Sequence, residues 1–145
     1  VAAGFPGSKK DLFSLWVANR PTYVATVIGS EALDLARKIE KAKDLKGPRM
    51  IISLAPCPTG WGYDPKDTVE IGRLAVKTGL WPLKEYVDGK VRHTFNPGSR
   101  RPVEDYLSRQ RRFAHLFEPE RNEKVLAEIQ QGVDAYWAAV DAEQT

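Results

Sequence analysis

Apolar and polar positions divide the chain into a series of short elements. Residues 22–28, "TYVATVI", are β-branched and mostly apolar, which is typical of a buried strand. Residues 49–55, "RMIISLA", form a second such run. The stretch between them has helical spacing, with Ser30 placed as an N-cap and Gly47-Pro48 as the stop. A strand, a crossover helix and a strand predict a βαβ unit whose two strands are parallel neighbours.

The same spacing predicts which helix faces are buried. In the crossover helix, Leu33, Ala36, Ile39 and Ala42/Lys43 are expected to face the core, and Glu31, Asp34, Arg37 and Lys41 to face water. Before the first strand, a short helix ending ahead of Pro21 is predicted to place Leu12, Leu15 and Trp16 on one face.

The second half of the chain predicts a helix, a hairpin and further helices. Residues 65–81 have helical spacing, and Asp88-Gly89 is a strong two-residue hairpin signal within residues 83–95. Another helix is predicted to open at Pro102 and to extend no further than Pro119. A last amphipathic helix carries one apolar stripe, made of Val125, Leu126, Ile129, Val133, Tyr136, Trp137 and Val140.

Composition narrows the class of protein. The chain has 145 residues, enough for one domain with a core, and its net charge of +3 is too small to indicate nucleic-acid binding. No apolar run approaches the roughly 20 residues that cross a bilayer, and the first residues lack a signal-peptide pattern. A single cysteine excludes a disulfide within the chain and favours a reducing, cytoplasmic setting. Because no Met precedes Val1, we expect a processed or partial chain.

That cysteine, Cys57, lies in the loop "LAPCPTGWGYDP" after the second predicted strand. A lone cysteine is usually a small apolar side chain. A nucleophile would need a base and a metal ligand would need partners, yet His93 and His115 are far away in sequence. The loop is nevertheless stiff, because Pro56 and Pro58 fix the backbone on both sides of the sulfur. Stiffness of this kind favours a metal ligand over core filler.

Three segments carry a resemblance to a known family. "APCPTGWGYDP", "VEIGRLAVKTGLWPLKEY" and "RPVEDYLSRQRRFAHLF" resemble the C-terminal part of the thiamine-diphosphate-binding β subunit of pyruvate:ferredoxin oxidoreductase and related 2-oxoacid oxidoreductases. The resemblance runs from about Pro21 to the end of the chain. The family loop more often reads Ser-Pro-Cys, where this chain has Ala55.

The resemblance implies an α/β fold: the C-terminal part of a Rossmann-like, mostly parallel module with a C-terminal hairpin and helical extension. It divides the chain into a linker and short helix (1–20), the C-terminal half of the thiamine-diphosphate module (21–82) and the extension (83–145). It also makes Cys57 one ligand of a four-iron four-sulfur cluster, with Thr59, Gly60 and Trp61 beside the cluster. The chain has no Cys-x-x-Cys and no Gly-Asp-Gly motif, so thiamine diphosphate and Mg²⁺ are expected to bind mainly elsewhere, and this segment alone is expected to be inactive, with no catalytic residue of its own.

The complete enzyme implied by the resemblance oxidatively decarboxylates a 2-oxoacid, pyruvate or an aryl acid such as phenylglyoxylate, and forms an acyl-coenzyme A. Its expected partners are the other subunits, the missing N-terminal part, and ferredoxin or an NAD-reducing subunit, with no nucleic acid and no membrane. A non-catalytic α/β interaction module is the alternative. The arginine cluster Arg100, Arg101, Arg109, Arg111 and Arg112 is interpreted as a solvated or subunit-facing surface rather than an anion site.

Overall fold

A four-stranded sheet organises the first part of the molecule in the computed structural model, which describes residues 10–143. Its strands are β1 (Tyr23–Ile28), β2 (Arg49–Leu54), β3 (Lys84–Val87) and β4 (Lys90–His93), in the order β2-β1-β3-β4. β1 and β2 are parallel, with Tyr23 opposite Arg49 and Ile28 opposite Leu54. The predicted βαβ unit is therefore confirmed, and β1 is an inner strand that is buried along its whole length.

The predicted hairpin is also present, and it joins this sheet. Asp88 and Gly89 both have positive φ, at 52° and 76°, as a two-residue turn between twisted strands requires. β3 then pairs antiparallel with β1, placing Val87 opposite Tyr23. The fold is α/β as expected, with a mixed sheet in which one pair of strands is parallel.

Helices supply the remaining elements. They are α1 (Leu12–Ala18), α2 (Ala32–Asp44), α3 (Pro58–Trp61), α4 (Thr68–Lys77), α5 (Glu104–Leu107) and α6 (Glu123–Glu143), with 3₁₀ segments at Pro65–Asp67 and Arg111–Leu116. The amphipathic C-terminal helix is confirmed, since α6 buries Leu126, Val133, Trp137 and Val140.

The single helix predicted to run from Pro102 towards Pro119 is wrong. The structure has the short α5 and a separate 3₁₀ segment, because Gln110 is extended (φ −124°, ψ 117°) and interrupts the helical backbone. The Gln110 side chain is 1% exposed and donates a hydrogen bond to the Tyr106 carbonyl at 2.6 Å. The buried Gln110 side chain therefore bonds to a backbone carbonyl at the point where the predicted helix would have continued.

The predicted burial is wrong for α1 and partly wrong for α2, where Ala42 is buried and Arg37 and Lys41 are exposed as expected. In α2, Leu33 is 75% exposed and Lys38 is 1% exposed, and in α1 the buried residue is Phe13 rather than Leu12, Leu15 or Trp16. The N-cap of α2 is Glu31, and the Ser30 hydroxyl is buried without a hydrogen-bond partner in the part of the chain described. The crossover helix is thus rotated from the orientation that its apolar residues predict.

The chain divides into two compact units. The sheet unit contains the residues up to Ala55 and Pro82–Asn96, and the helical unit contains Pro56–Trp81 and the residues from Pro97 onward. Residues 1–9 of the predicted linker and short helix (1–20) lie outside the described residues. Among the residues that are described, no helix combines the length and hydropathy needed to span a bilayer.

Candidate functional site

The Cys57 sulfur is exposed at the start of α3, a single helical turn. Cys57 is the N-cap, with extended φ and ψ of −115° and 104°, the conformation that a following proline imposes. Pro58 occupies the first helical position, where its missing N–H leaves no donor unpaired. The two prolines therefore restrict the backbone on both sides of the thiol, and the Cys57 backbone lies in the extended region that they favour.

One backbone N–H group is aimed at the sulfur. Gly60 N–H donates to Cys57 Sγ at 3.3 Å, and a Cβ atom placed on Gly60 would also lie 3.3 Å from Sγ, tighter than ordinary contact. The next amides close the turn, since Trp61 N–H donates to the Cys57 carbonyl at 2.9 Å and Gly62 N–H to the Pro58 carbonyl at 2.8 Å. Thr59 is exposed beside them. The loop thus presents a sulfur that accepts an N–H···S hydrogen bond.

The 3₁₀ segment Arg111–Leu116 packs against the end of this turn. Gly62 has φ +73°, and a Cβ there would lie 2.6 Å from the Arg111 Cβ, so the site requires glycine for both conformation and space. Arg111 N–H donates to the Gly62 carbonyl at 3.1 Å. The Cys57 turn is therefore tied through its last residue to a segment about fifty positions later.

Trp61 is the second point of contact. Its ring is half-buried, and the Arg112 guanidinium carbon lies 3.8 Å from the ring centroid, which is close cation–π stacking. Arg112 Nε donates to Gln110 Oε1 at 2.9 Å, and Nη2 lies 3.4 Å from the Tyr106 hydroxyl. Sequence reasoning missed this role, because nothing local links Arg112 to Trp61.

The other arginines of the cluster make separate contacts or are exposed. Arg100 lies over the ring of Trp137 at 5.5 Å, and Arg101 pairs with Asp105 at 2.6 Å. Arg109 and Arg111 are exposed. Two arginines of the set therefore pack on tryptophan rings, and Arg101 and Arg112 are exposed as well, which fits the solvated surface predicted for the cluster.

Cys57 fits the role of a single ligand in a metal site whose other ligands come from elsewhere. Within residues 10–143 there is no group of three or more His, Cys, Asp or Glu side chains that could hold a metal. An exposed sulfur with a fixed direction and an N–H donor is suited to ligating iron when the remaining ligands come from another segment. The residues present thus match a single cysteine ligand, and they include no diphosphate–Mg²⁺ motif.

A second cluster of titratable groups lies in the sheet unit. Glu85 is 4% exposed and accepts hydrogen bonds from the Tyr23 hydroxyl at 2.7 Å and from Lys41. Lys38 Nζ donates to the Thr26 carbonyl at 2.9 Å and to Asp34 at 2.6 Å. Burial by itself lowers the pKa of Lys38 and raises the pKa of Tyr23. This cluster attaches α2 to the sheet, and its donors and acceptors are satisfied internally.

Comparison with known proteins gives a consistent set of relatives. No family model matches the chain. It is 46% identical over 127 residues to the pyruvate synthase subunit PorB of Methanothermobacter marburgensis, which covers 88% of the chain and 42% of the relative. It is 36% identical over 140 residues to PorB of Thermotoga maritima, covering 94% of the chain and 43% of the relative.

The chain is also 40% identical over 110 residues to the ketoisovalerate oxidoreductase subunit VorB of Pyrococcus abyssi, which covers 74% of the chain and 35% of that relative. In each of these comparisons the chain spans less than half the length of the curated relative.

Proposed function

The chain belongs to the family of pyruvate synthase PorB subunits, and from this we propose that it is part of the β subunit of an acyl-coenzyme A-forming 2-oxoacid oxidoreductase. Identities of 34–48% to relatives named as PorB, over most of the chain, are the observation that carries the proposal. The family identified from the Cys57 loop and its neighbouring motifs is thereby confirmed.

The proposed substrate is pyruvate, since relatives from several organisms are named pyruvate synthase subunits. Similarity to a ketoisovalerate oxidoreductase subunit supports a branched-chain 2-oxoacid as the second candidate. Phenylglyoxylate is a third candidate that rests on the resemblance of the loop alone. The proposed electron acceptor is ferredoxin, with an NAD-reducing subunit as the alternative, and the proposed setting is the cytoplasm, where a single thiol stays reduced.

We assign Cys57 to one iron of a four-iron four-sulfur cluster. The prolines on either side hold the sulfur in an exposed position, and the Gly60 N–H already donates to it. N–H donors of this kind stabilise the reduced, more negative cluster and so raise its reduction potential. Thr59 and Gly60 are the proposed donors, and the Trp61 ring is proposed to limit water near the sulfur.

When bound, thiamine diphosphate with Mg²⁺ supplies the decarboxylation chemistry and the cluster takes up single electrons. The other proposed partners are the remaining subunits, the rest of the β subunit and coenzyme A. This chain supplies the ligand, its N–H donors and the packing that fixes their positions.

The test is to replace Cys57 in the assembled complex. We expect Cys57→Ser and Cys57→Ala to lose the iron, sulfide and electron paramagnetic resonance signal of one cluster, while circular dichroism of the chain stays unchanged because the side chain is exposed. Ala55→Ser is the matched control, since it changes the same loop and leaves the sulfur in place. Full iron content in both Cys57 variants would favour the non-catalytic interaction module.

A further inference from the structure

Arg112 is the one member of the arginine cluster that contacts both the Cys57 turn and buried polar groups. On one side its guanidinium stacks on Trp61 at 3.8 Å. On the other it donates to Gln110, which is 1% exposed and itself bonded to the Tyr106 carbonyl. Arg112 thus connects the turn to a fixed, buried anchor. We call Tyr106, Gln110, Arg112 and Trp61 the arginine clamp.

The clamp acts on the last residues of a very short helix. A single helical turn has too few internal hydrogen bonds to be stable alone, and in α3 those bonds are donated by Trp61 and Gly62 to Cys57 and Pro58. Whatever holds the Trp61 ring therefore holds the amides that close the turn. The same turn contains the Gly60 N–H that points at Cys57 Sγ.

Two further contacts support the same attachment. The Arg111 N–H bonds to the Gly62 carbonyl, so the residue next to Arg112 fixes the end of the turn. The ring of Tyr63 lies 6.3 Å from that of Trp61, on the other side of Gly62 in sequence. Both contacts lie in the segment that follows Cys57.

We propose that Arg112 is a positioning residue for Cys57: by stacking on Trp61 from the buried Gln110 and Tyr106, it holds the turn in the geometry in which the sulfur accepts the Gly60 N–H. The predicted effect of Arg112 on the cluster rests on the assignment of Cys57 as a cluster ligand. Its effect on the geometry of the turn, the mechanical part of the proposal, concerns this chain alone.

The mechanical part is tested by amide hydrogen exchange in the full chain, followed by nuclear magnetic resonance. We expect Arg112→Gln to speed exchange of the Trp61 and Gly62 amides about two- to fivefold, the factor that corresponds to a surface cation–π contact. Arg112→Lys should give a smaller effect, since an ammonium stacks on the ring but lacks the planar fork for Gln110 and Tyr106. Arg109→Gln, an exposed arginine of the same segment, should leave both amides unchanged.

A double-mutant cycle tests the contact between Arg112 and Trp61 without relying on a single variant. Trp61→Leu breaks the contact from the other side, and its effect should not add to that of Arg112→Gln when both are present. Exchange in β1 reports whether the chain as a whole remains folded. Unchanged Trp61 and Gly62 amides in Arg112→Gln, or fully additive effects in the double variant, would overturn the proposal.

In the assembled enzyme, a positioning role predicts a shifted reduction potential and a changed resonance spectrum in the clusters that Arg112→Gln still binds. A purely structural role predicts fewer clusters with an unaltered spectrum. Iron that is lost in Cys57→Ser, combined with normal amide exchange in Arg112→Gln, would refute the clamp and leave the ligand assignment standing. Faster exchange in Arg112→Gln with iron retained in Cys57→Ser would support the clamp and refute the assignment of Cys57 as a cluster ligand.

Discussion

At the scale of single residues, the clearest requirement in the Cys57 turn is the glycine at position 62. Its φ of +73° belongs to the left-handed region, and Arg111 occupies the space where a Cβ would be. The close approach of Arg111 could not be predicted from the sequence, since it depends on where a distant segment packs.

We therefore predict that Gly62→Ala destabilises the chain, whereas the same substitution at Gly132 does not. At position 62 the left-handed backbone costs roughly 1–2 kcal/mol before the clash with Arg111 is added. Gly132 lies inside α6 with no atom within 4 Å of an added Cβ, so alanine there should stabilise by about 0.5–1 kcal/mol through helix propensity. Urea unfolding of both variants measures the difference, and equal free energies of unfolding would contradict it.

At the scale of elements, the strand–helix–strand order, the hairpin and the C-terminal helix were predictable because each depends on local spacing or a two-residue turn signal. The orientation of α2 was not. Leu33 and Ile39 have the spacing of a core face, yet Lys38 is buried instead, because the Thr26 carbonyl and Asp34 accept its hydrogen bonds. Internal partners for a lysine depend on tertiary contacts, which hydrophobic periodicity does not contain.

The candidate site, like the fold, could be predicted only in part. The Cys57 turn could be predicted, since prolines act on their immediate neighbours. The clamp could not, because it requires Gln110 to break a helix that the sequence predicts as continuous.

The attachment of α2 to the sheet should make stability depend on acid pH. Burial by itself raises the pKa of Glu85, but hydrogen bonds from Lys41 and Tyr23 and the nearby ammonium charges outweigh it and hold that pKa below its ordinary value. A carboxyl whose pKa is lower in the folded state contributes stability above its unfolded pKa of about 4.3, and this is lost as pH falls through the folded pKa.

We expect Glu85→Gln to lower the free energy of unfolding at pH 7 by about 1–3 kcal/mol, as for a disrupted buried hydrogen-bonded group. Its stability should then change less than that of the parent chain between pH 5 and the acid transition. Glu40→Gln, which changes an exposed glutamate of α2, is the control and should follow the parent curve. Parallel acid curves for Glu85→Gln and the parent would show that Glu85 does not contribute in this way.

At the scale of the whole molecule, exposed apolar side chains are concentrated in the sheet unit. They are Leu12, Leu15, Trp16, Leu33, Ile39, Val91 and Phe95, while Val69 belongs to the helical unit. β2 is an edge strand in which Met50, Ile51 and Ile52 are only half-buried. Exposed apolar side chains and an open strand edge both favour association between chains.

The isolated chain should therefore self-associate with rising concentration, and the α2 face should contribute to this. Replacing both Leu33 and Ile39 by glutamate adds charge where apolar area would be buried, so we expect the dissociation constant to rise about tenfold or more. Val69→Glu, which changes an apolar side chain that is 51% exposed in the helical unit, should have little effect because a single apolar side chain makes a poor interface. Sedimentation velocity over a range of concentrations measures all three proteins. A chain that stays monomeric throughout, or an association weakened as much by Val69→Glu, would mean that α2 is not the surface through which copies meet.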